Sequence, residues 1–240
     1  MFHPKGPSLL ELLQQGFQSV ERGYDLLAPK FEYTPFRTPE AVVAASLLLA
    51  GPDRSVDSAL DVCCGTGAGM RHLRPLCRER VVGLDVSQGM LDEARRQLAE
   101  TPGEAALEFM RGDALTPPWR EEFDLVTSFG AFGHIPEVDE PRFVEGIHRV
   151  LRPGGRFLFV TGDEPSRLRP GYWMARAFNA AMHVRNALWS PPFIMYYLTF
   201  LLPRARSLLE ARGFHVEVHR DVLPAPFDRY GLCVVIATRS

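Results

Sequence analysis

The segment Leu60-Asp61-Val62-Cys63-Cys64-Gly65-Thr66-Gly67-Ala68-Gly69 lies between a short apolar run and a helical stretch. Glycines in such a place let the backbone turn sharply and approach a ligand with no Cβ in the way. Asp85 closes the next apolar run about twenty residues on, the spacing at which a carboxylate takes ribose hydroxyls. Both features suit an adenosine-bearing cofactor. A dinucleotide fingerprint, G-x-G-x-x-G, also needs a third glycine for close helix–strand packing. Counted from Gly65 and Gly67, that third place holds Met70. Asp61 adds an anion just ahead of the loop, which repels a pyrophosphate and attracts a cationic amino-acid group. The residues therefore point to a positively charged nucleoside.

Three further groups have reactive potential. His134, in Gly130-Ala131-Phe132-Gly133-His134-Ile135-Pro136, follows the fourth apolar run. There it is a candidate base or acceptor-positioning group, since ligands of open α/β sheets collect at the carboxyl edge. Asp163 and Glu164 follow the fifth run at the same edge and are candidates for orienting an acceptor amine or hydroxyl. The cysteines, Cys63-Cys64, Cys77 and Cys233, contain no C-x-x-C pair. That spacing argues against zinc and for small buried side chains.

These groups need a scaffold. From Ser8, a plausible N-cap, Leu9, Leu12, Leu13, Phe17, Val20, Tyr24 and Leu27 recur at helical steps, which predicts one amphipathic helix. Pro29, Pro35 and Pro39 punctuate a connector, and Glu40–Ala50 reads as a second helix stopped by Gly51-Pro52. Short apolar runs at 59–63, 81–84, 107–110, 125–129 and 156–160 then alternate with helical stretches at 69–77, 87–100 and 141–151. Such alternation predicts right-handed crossovers and a largely parallel, doubly wound α/β sheet. Two final runs, 214–219 and 232–238, have no helix between them, so they are expected to pair antiparallel at the sheet edge.

The composition is globular: 240 residues, 46% hydrophobic and 23% charged, with a net charge of −2. Those values argue against disorder, a disulfide scaffold and an overall nucleic-acid footprint. The beginning of the chain, Met1 to Pro7, has no apolar stretch behind Lys5, and the longest apolar run, 193–202, is half a membrane span. A cytoplasmic protein without a transmembrane segment is expected. One segment departs from the average. Between Pro165 and Arg206 stand Arg167, Arg169, Arg176, Arg185, Arg204 and Arg206, with no Asp, Glu or Lys. Taking that +6 from the total leaves about −8 for the rest. The same segment is rich in aromatic residues.

Leu60–Gly67 resembles motif I of the class I S-adenosylmethionine-dependent methyltransferases. The similarity continues through Gly83-Leu84-Asp85-Val86-Ser87-Gln88-Gly89-Met90-Leu91, Arg111-Gly112-Asp113-Ala114, Phe123–Phe129 and Val150-Leu151-Arg152-Pro153-Gly154-Gly155-Arg156. These five elements stand in family order over residues 57–161, nearest in character to the small-molecule branch called methyltransferase type 11 or 25. The resemblance implies a Rossmann-like sheet of seven strands, S-adenosylmethionine as cofactor and S-adenosylhomocysteine as product. It implies that Asp61, Gly65 and Gly67 meet the methionine part, with Cys63 and Cys64 lining the turn. Asp85 would take the ribose, Val86 and Met90 would pack near the adenine, and Asp113 and Ala114 would bond to it. Ser128 and Phe129 would border the sulfonium. Tyr24, in a stretch resembling the family's N-terminal lid, could close over the site. Arg37 has a cofactor carboxylate as one partner, solvent as the stronger expectation. The family usually has glycine where Cys63 stands.

The expected organisation is one domain. Residues 1–50 form a helical cap, 57–161 the cofactor core, 163–203 a lid over the acceptor, and 204–240 a last helix and two strands. Ser128-Phe129-Gly130-Ala131 lacks the [DN]-P-P-[YF] of base-directed DNA enzymes. A small-molecule acceptor, apolar and anionic to match the lid, is therefore expected in place of nucleic acid. Peripheral membrane contact through the lid is a further option. Two rivals remain at this point: a non-catalytic module that keeps the fold, and a NAD(P)-dependent oxidoreductase.

Overall fold

The computed structural model describes residues 3–34 and 37–240, so Pro35 lies outside the described residues. Ser8 caps α1 (Leu9–Gly16) in a reciprocal capping box with Glu11. The helix predicted to run on to Leu27 is broken. Ser19 starts a separate α2 (Val20–Leu27), its hydroxyl accepting from the Arg22 N–H. A second N-cap serine placed after Gly16 offers the backbone a better local partner than continuing the helix. Phe17 is thereby turned out of the helical stripe and packs at 5.4 Å against Trp189. The side chains of Leu9 and Leu13 lie outside the described set. Helix α3 (Glu40–Leu47) tightens into a 3₁₀ turn at Leu48–Ala50 before Gly51.

The alternating region forms β1 (Val56–Val62), α4 (Ala68–Leu76), β2 (Cys77–Asp85), α5 (Gln88–Leu98), β3 (Ala106–Arg111), β4 (Phe123–Ser128), α6 (Glu140–Val150) and β5 (Leu151–Gly162). Then come α7 (Pro170–Leu188), α8 (Leu202–Ala211), β6 (Phe214–His219) and β7 (Leu232–Arg239). The sheet order is β3-β2-β1-β4-β5-β7-β6, seven strands in all. Its first five strands pair parallel, and β7 runs antiparallel between β5 and β6. The expected doubly wound sheet with an antiparallel edge is the one observed. Its order reverses between β1 and β4, which opens a crevice at their carboxyl ends.

Strand alternation builds a core on each face. Phe157 and Phe159 of β5 point to one side with Phe123, Phe143 and Leu60. Leu158 points to the other with Ala59, Met70, Leu73 and Val81. Asp61, two residues after Ala59, shares this second face, where α4 packs. Among the described residues no helix is long and apolar enough to cross a membrane.

Candidate active site

At the crevice the chain leaves β1 through Cys63 in a left-handed conformation, with φ of +57°. A Cβ is disfavoured there, which gives the departure from glycine at this position a definite backbone cost. Gly65 (+52°) and Gly67 (+87°) continue the turn into α4. Their roles differ. A Cβ on Gly65 would meet nothing within 4 Å, so its surface is open to a ligand. A Cβ on Gly67 would come within 2.6 Å of Leu98, so this glycine lets α5 approach and does not line the cavity. Met70 is fully buried and packs over Gly83 of β2, whose own Cβ would lie 2.9 Å from the Cys64 sulfur. The close approach supplied by a third loop glycine in dinucleotide folds is thus moved onto the strand.

Asp61 is 2% exposed and accepts a 2.7 Å hydrogen bond from the Thr127 hydroxyl, its neighbour in the β1–β4 register. Among the described residues no cationic side chain pairs with it. Burial pushes its carboxyl up to about 7, opposed by the Thr127 and Met70 hydrogen bonds. A buried carboxylate held by a hydroxyl and an N–H, with no cation, suits a positively charged ligand. Asp85 accepts from the Gly65 N–H (2.9 Å) and the Ser87 N–H (2.9 Å). Both oxygens are thereby aimed, with lone pairs left for hydroxyl donors. Burial raises this carboxyl too, against those N–H groups.

One cavity of about 840 Å³ joins these groups to the rest of the candidate site. Cys63, Cys64, Val86, Met90, Ala114 and Phe129 are on its walls. Burial pushes both loop thiols far above the usual range, as packing side chains require. Asp113 makes a local turn, accepting from the Leu115 N–H at 2.9 Å, and still lines the cavity. Ser128 is brought elsewhere. It is fully buried, its hydroxyl donates to the Val62 carbonyl (3.0 Å), and it does not line the cavity. Asp163 is not brought there either, because Arg220 holds it in a two-pronged ion pair at 2.6 and 2.9 Å. That partner sits 57 residues away and is not visible in local sequence.

At the far wall Tyr24 and His134 meet. His134 Nδ1 lies 2.6 Å from the Ile194 carbonyl, which can only accept, so Nδ1 carries the proton and donates. Nε2 is then free to accept from the Tyr24 hydroxyl at 2.7 Å. Burial lowers the imidazole below its ordinary value, with the Ile194 carbonyl opposing, and so favours the neutral base. Burial also raises the Tyr24 phenol. The rings meet edge to face, their centroids 5.1 Å apart.

Glu32, Thr66 and Asp25 carried no signal as isolated residues. Thr66 donates to Glu32 (2.6 Å), and Glu32 accepts from Arg37 (2.7 Å), so Arg37 lines the cavity in an ion pair and is not a solvated arginine. Asp25 accepts from the Ser87 hydroxyl (2.6 Å) and the Gly89 N–H (2.9 Å), tying α2 to the start of α5. The expectation of an anionic acceptor meets a correction. None of the six arginines of the 165–206 segment lines the cavity. Arg204 pairs with buried Glu140 (3.0 Å), and Arg185 donates to the Pro191 carbonyl (2.6 Å). What that segment contributes is mainly apolar or aromatic: Met195, Tyr196, Tyr197, Leu198 and Leu201, with Thr199 the one polar residue.

Residues 59–155 match the family model described as a methyltransferase domain. The demethylmenaquinone methyltransferase of Symbiobacterium thermophilum is 35% identical over 117 residues, which are 47% of this chain and 45% of that protein. The demethylmenaquinone methyltransferase of Lactococcus lactis is 31% identical over 159 residues, 65% of this chain and 60% of that protein. The chain thus spans about half the length of the curated relatives it matches. Among solved structures, the DhpI–SAH complex superposes with a TM-score of 0.64 at 21% identity, covering 96% of this chain and 98% of that one. Magnesium protoporphyrin IX methyltransferase from Synechocystis, with bound SAH, gives 0.59 at 18% identity, covering 84% and 82%. At such identities the likeness is one of fold.

Proposed function

We propose that the chain, whose residues 59–155 match the methyltransferase-domain model, is a class I S-adenosylmethionine-dependent methyltransferase that methylates an apolar small-molecule acceptor. One observation carries the reading. The Asp61–Gly65–Asp85 floor and the Tyr24–His134 pair open onto the same cavity. Asp61, Gly65 and Gly69 would hold the methionine part of the cofactor, Asp85 the ribose, and Asp113, Ala114, Val86 and Met90 the adenine. The unpaired carboxylate of Asp61 and the bare surface of Gly65 fit a cationic nucleoside, and buried Met70 argues against a dinucleotide. When bound, S-adenosylmethionine supplies a methyl group on a sulfonium, so alignment and exclusion of water are the main tasks left to the protein.

The acceptor is best read as an apolar ring system bearing a hydroxyl or an acidic carbon. Phe129, Phe132, Ile135, Tyr196, Tyr197 and Leu198 offer such a molecule apolar walls. A protonated nucleophile must shed its proton as the new bond forms. Tyr24 Oη can accept that proton as its own passes to His134 Nε2, leaving an imidazolium whose Nδ1–H stays on the Ile194 carbonyl. The raised phenol and the neutral imidazole favour this coupled transfer over a free phenolate. The demethylmenaquinone methyltransferases that match the chain are named for an acceptor, and a quinol-type ring is accordingly the first to try. Segment 163–203 serves as the acceptor lid, and the reaction takes place in the cytoplasm.

Calorimetric titration with S-adenosylmethionine, S-adenosylhomocysteine and NAD tests the first step. Binding of the first two and not the third is expected; no binding of either sulfur nucleoside would end the proposal. Transfer of labelled methyl to apolar phenols and quinols then identifies the acceptor.

A further inference from the structure

Helix α7 rests lightly on the rest of the fold. Of its 19 residues none is buried, although the helices of a globular fold ordinarily cover their apolar stripe. Its half-buried side, with Tyr172, Phe178 and Met182, also presents two asparagines to the protein. Asn179 accepts from the Tyr197 N–H (2.9 Å) and donates to the Tyr197 carbonyl (2.8 Å). Asn186 does the same for Phe193, at 3.0 Å in each direction. These bonds anchor the loop that lines the cavity.

The outward face is apolar as well. Trp173, Met174, Val184 and Leu188 are 61%, 72%, 59% and 76% exposed. At 3.6 residues per turn Trp173, Val184 and Leu188 fall within an arc of about 60°. Trp189 and Phe17, both exposed and in contact with each other, extend the patch onto α1. Exposed Arg167, Arg169 and Arg176 stand at one end, and no acidic residue occurs from 165 to 206.

We propose that this outer face of α7 docks the protein on an anionic lipid bilayer. Charge complementarity selects that occupant. A second copy paired through α7 would offer these arginines no carboxylate, since 165–206 contains none, whereas an anionic leaflet attracts all three. A tryptophan-bearing apolar stripe flanked by arginines is the pattern of a helix lying in the interface plane. With Arg176 and Arg185 in its length the helix lies on the membrane and does not enter as a span. The docking does not depend on the methyl-transfer reading. If that reading holds, the loop from Phe193 to Leu201 is pressed to the bilayer, and a lipid-dissolved acceptor reaches the cavity without crossing water.

The test is flotation of the full chain with phosphatidylcholine vesicles containing phosphatidylglycerol, against phosphatidylcholine alone, at low and high salt. Binding is expected on the anionic vesicles, weakening with salt. Replacing Arg167, Arg169 and Arg176 by Gln should lower the partition about a hundredfold, at about fivefold for each charge. The pair V184D and L188D should abolish it. Thermal melting checks that the variants remain folded, which their exposed positions favour. Failure of the wild-type chain to float on anionic vesicles at low salt would overturn the proposal. So would flotation indifferent to both sets of substitutions, or a solution dimer that V184D and L188D make monomeric. Flotation without nucleoside binding would sink the methyl-transfer reading and leave the docking surface standing.

Discussion

The Tyr24 hydroxyl lies 2.7 Å from His134 Nε2, across 110 residues of sequence. The Ile194 carbonyl at Nδ1 fixes which ring nitrogen faces the phenol. The cap, the loop after β4 and the segment after α7 therefore converge on one hydrogen-bonded chain. None of the three makes it alone.

His134→Ala and Tyr24→Phe should each lower kcat by about 10²–10⁴-fold, while S-adenosylmethionine affinity stays within a few fold. Because burial lowers the His134 pKa, the acid limb of wild-type kcat should fall below the ordinary histidine value of 6.5. Rates measured at saturating acceptor over a pH series check this. An unchanged kcat in His134→Ala would remove the base from the mechanism.

Asp61 titrates with opposite consequences for the free and the loaded protein. Its carboxyl is raised from 3.8 to about 7 by burial. Between those values the folded chain keeps a proton the unfolded chain has lost, so stability falls as pH rises through that window and levels off above it. Asp61→Asn should therefore be more stable than wild type at pH 8, by an amount on the order of 1–4 kcal/mol, and about equally stable at pH 4. A cationic ligand prefers the ionised form. Wild-type S-adenosylmethionine affinity should drop about tenfold per pH unit below about 7, and Asp61→Asn should bind weakly with a flat profile. Paired melting and calorimetry series decide both signs.

Asp25 holds the cap to α5 through Ser87 and Gly89. Asp25→Ala leaves those donors unpaired, at a cost of about 1–3 kcal/mol. Hydrogen exchange should quicken in α2, and S-adenosylhomocysteine should dissociate faster, with the core strands unaffected.

Gly83 and Met70 share one volume. Gly83→Ala should cost about 1–3 kcal/mol by overpacking. Combined with Met70→Ala, the loss should be smaller than the sum of the single losses, because the shortened side chain vacates the space. Denaturant unfolding of the four proteins in the cycle measures the coupling.

Much of the fold was legible because it follows from local patterns. The five apolar runs of 59–160 alternate with helical ones and became strands in their predicted order, and the last two runs became the antiparallel edge. The break at Phe17–Ser19 was harder to see, since helical periodicity continues through it and only the Ser19 cap interrupts it. At the site, Gly65, Asp85, Asp113 and Tyr24 line the cavity, whereas Gly67 turns to α5. Ser128 and Asp163 do not line it, because hydrogen-bond partners far along the chain claim their side chains.

The order of the strands, the loop that turns at the end of β1 and the two carboxylates beside it were determined by sequence alone. Each depends on residues within one strand–turn–helix unit. Tertiary structure decided what depends on distant chain. Register set Thr127 against Asp61, and the cap set Tyr24 against His134. Packing sent the arginines of the 165–206 segment away from the cavity, to Glu140, to backbone carbonyls and to the outer surface. A charge count carries no direction; only the folded backbone assigns a side chain to the inside or the outside of a helix.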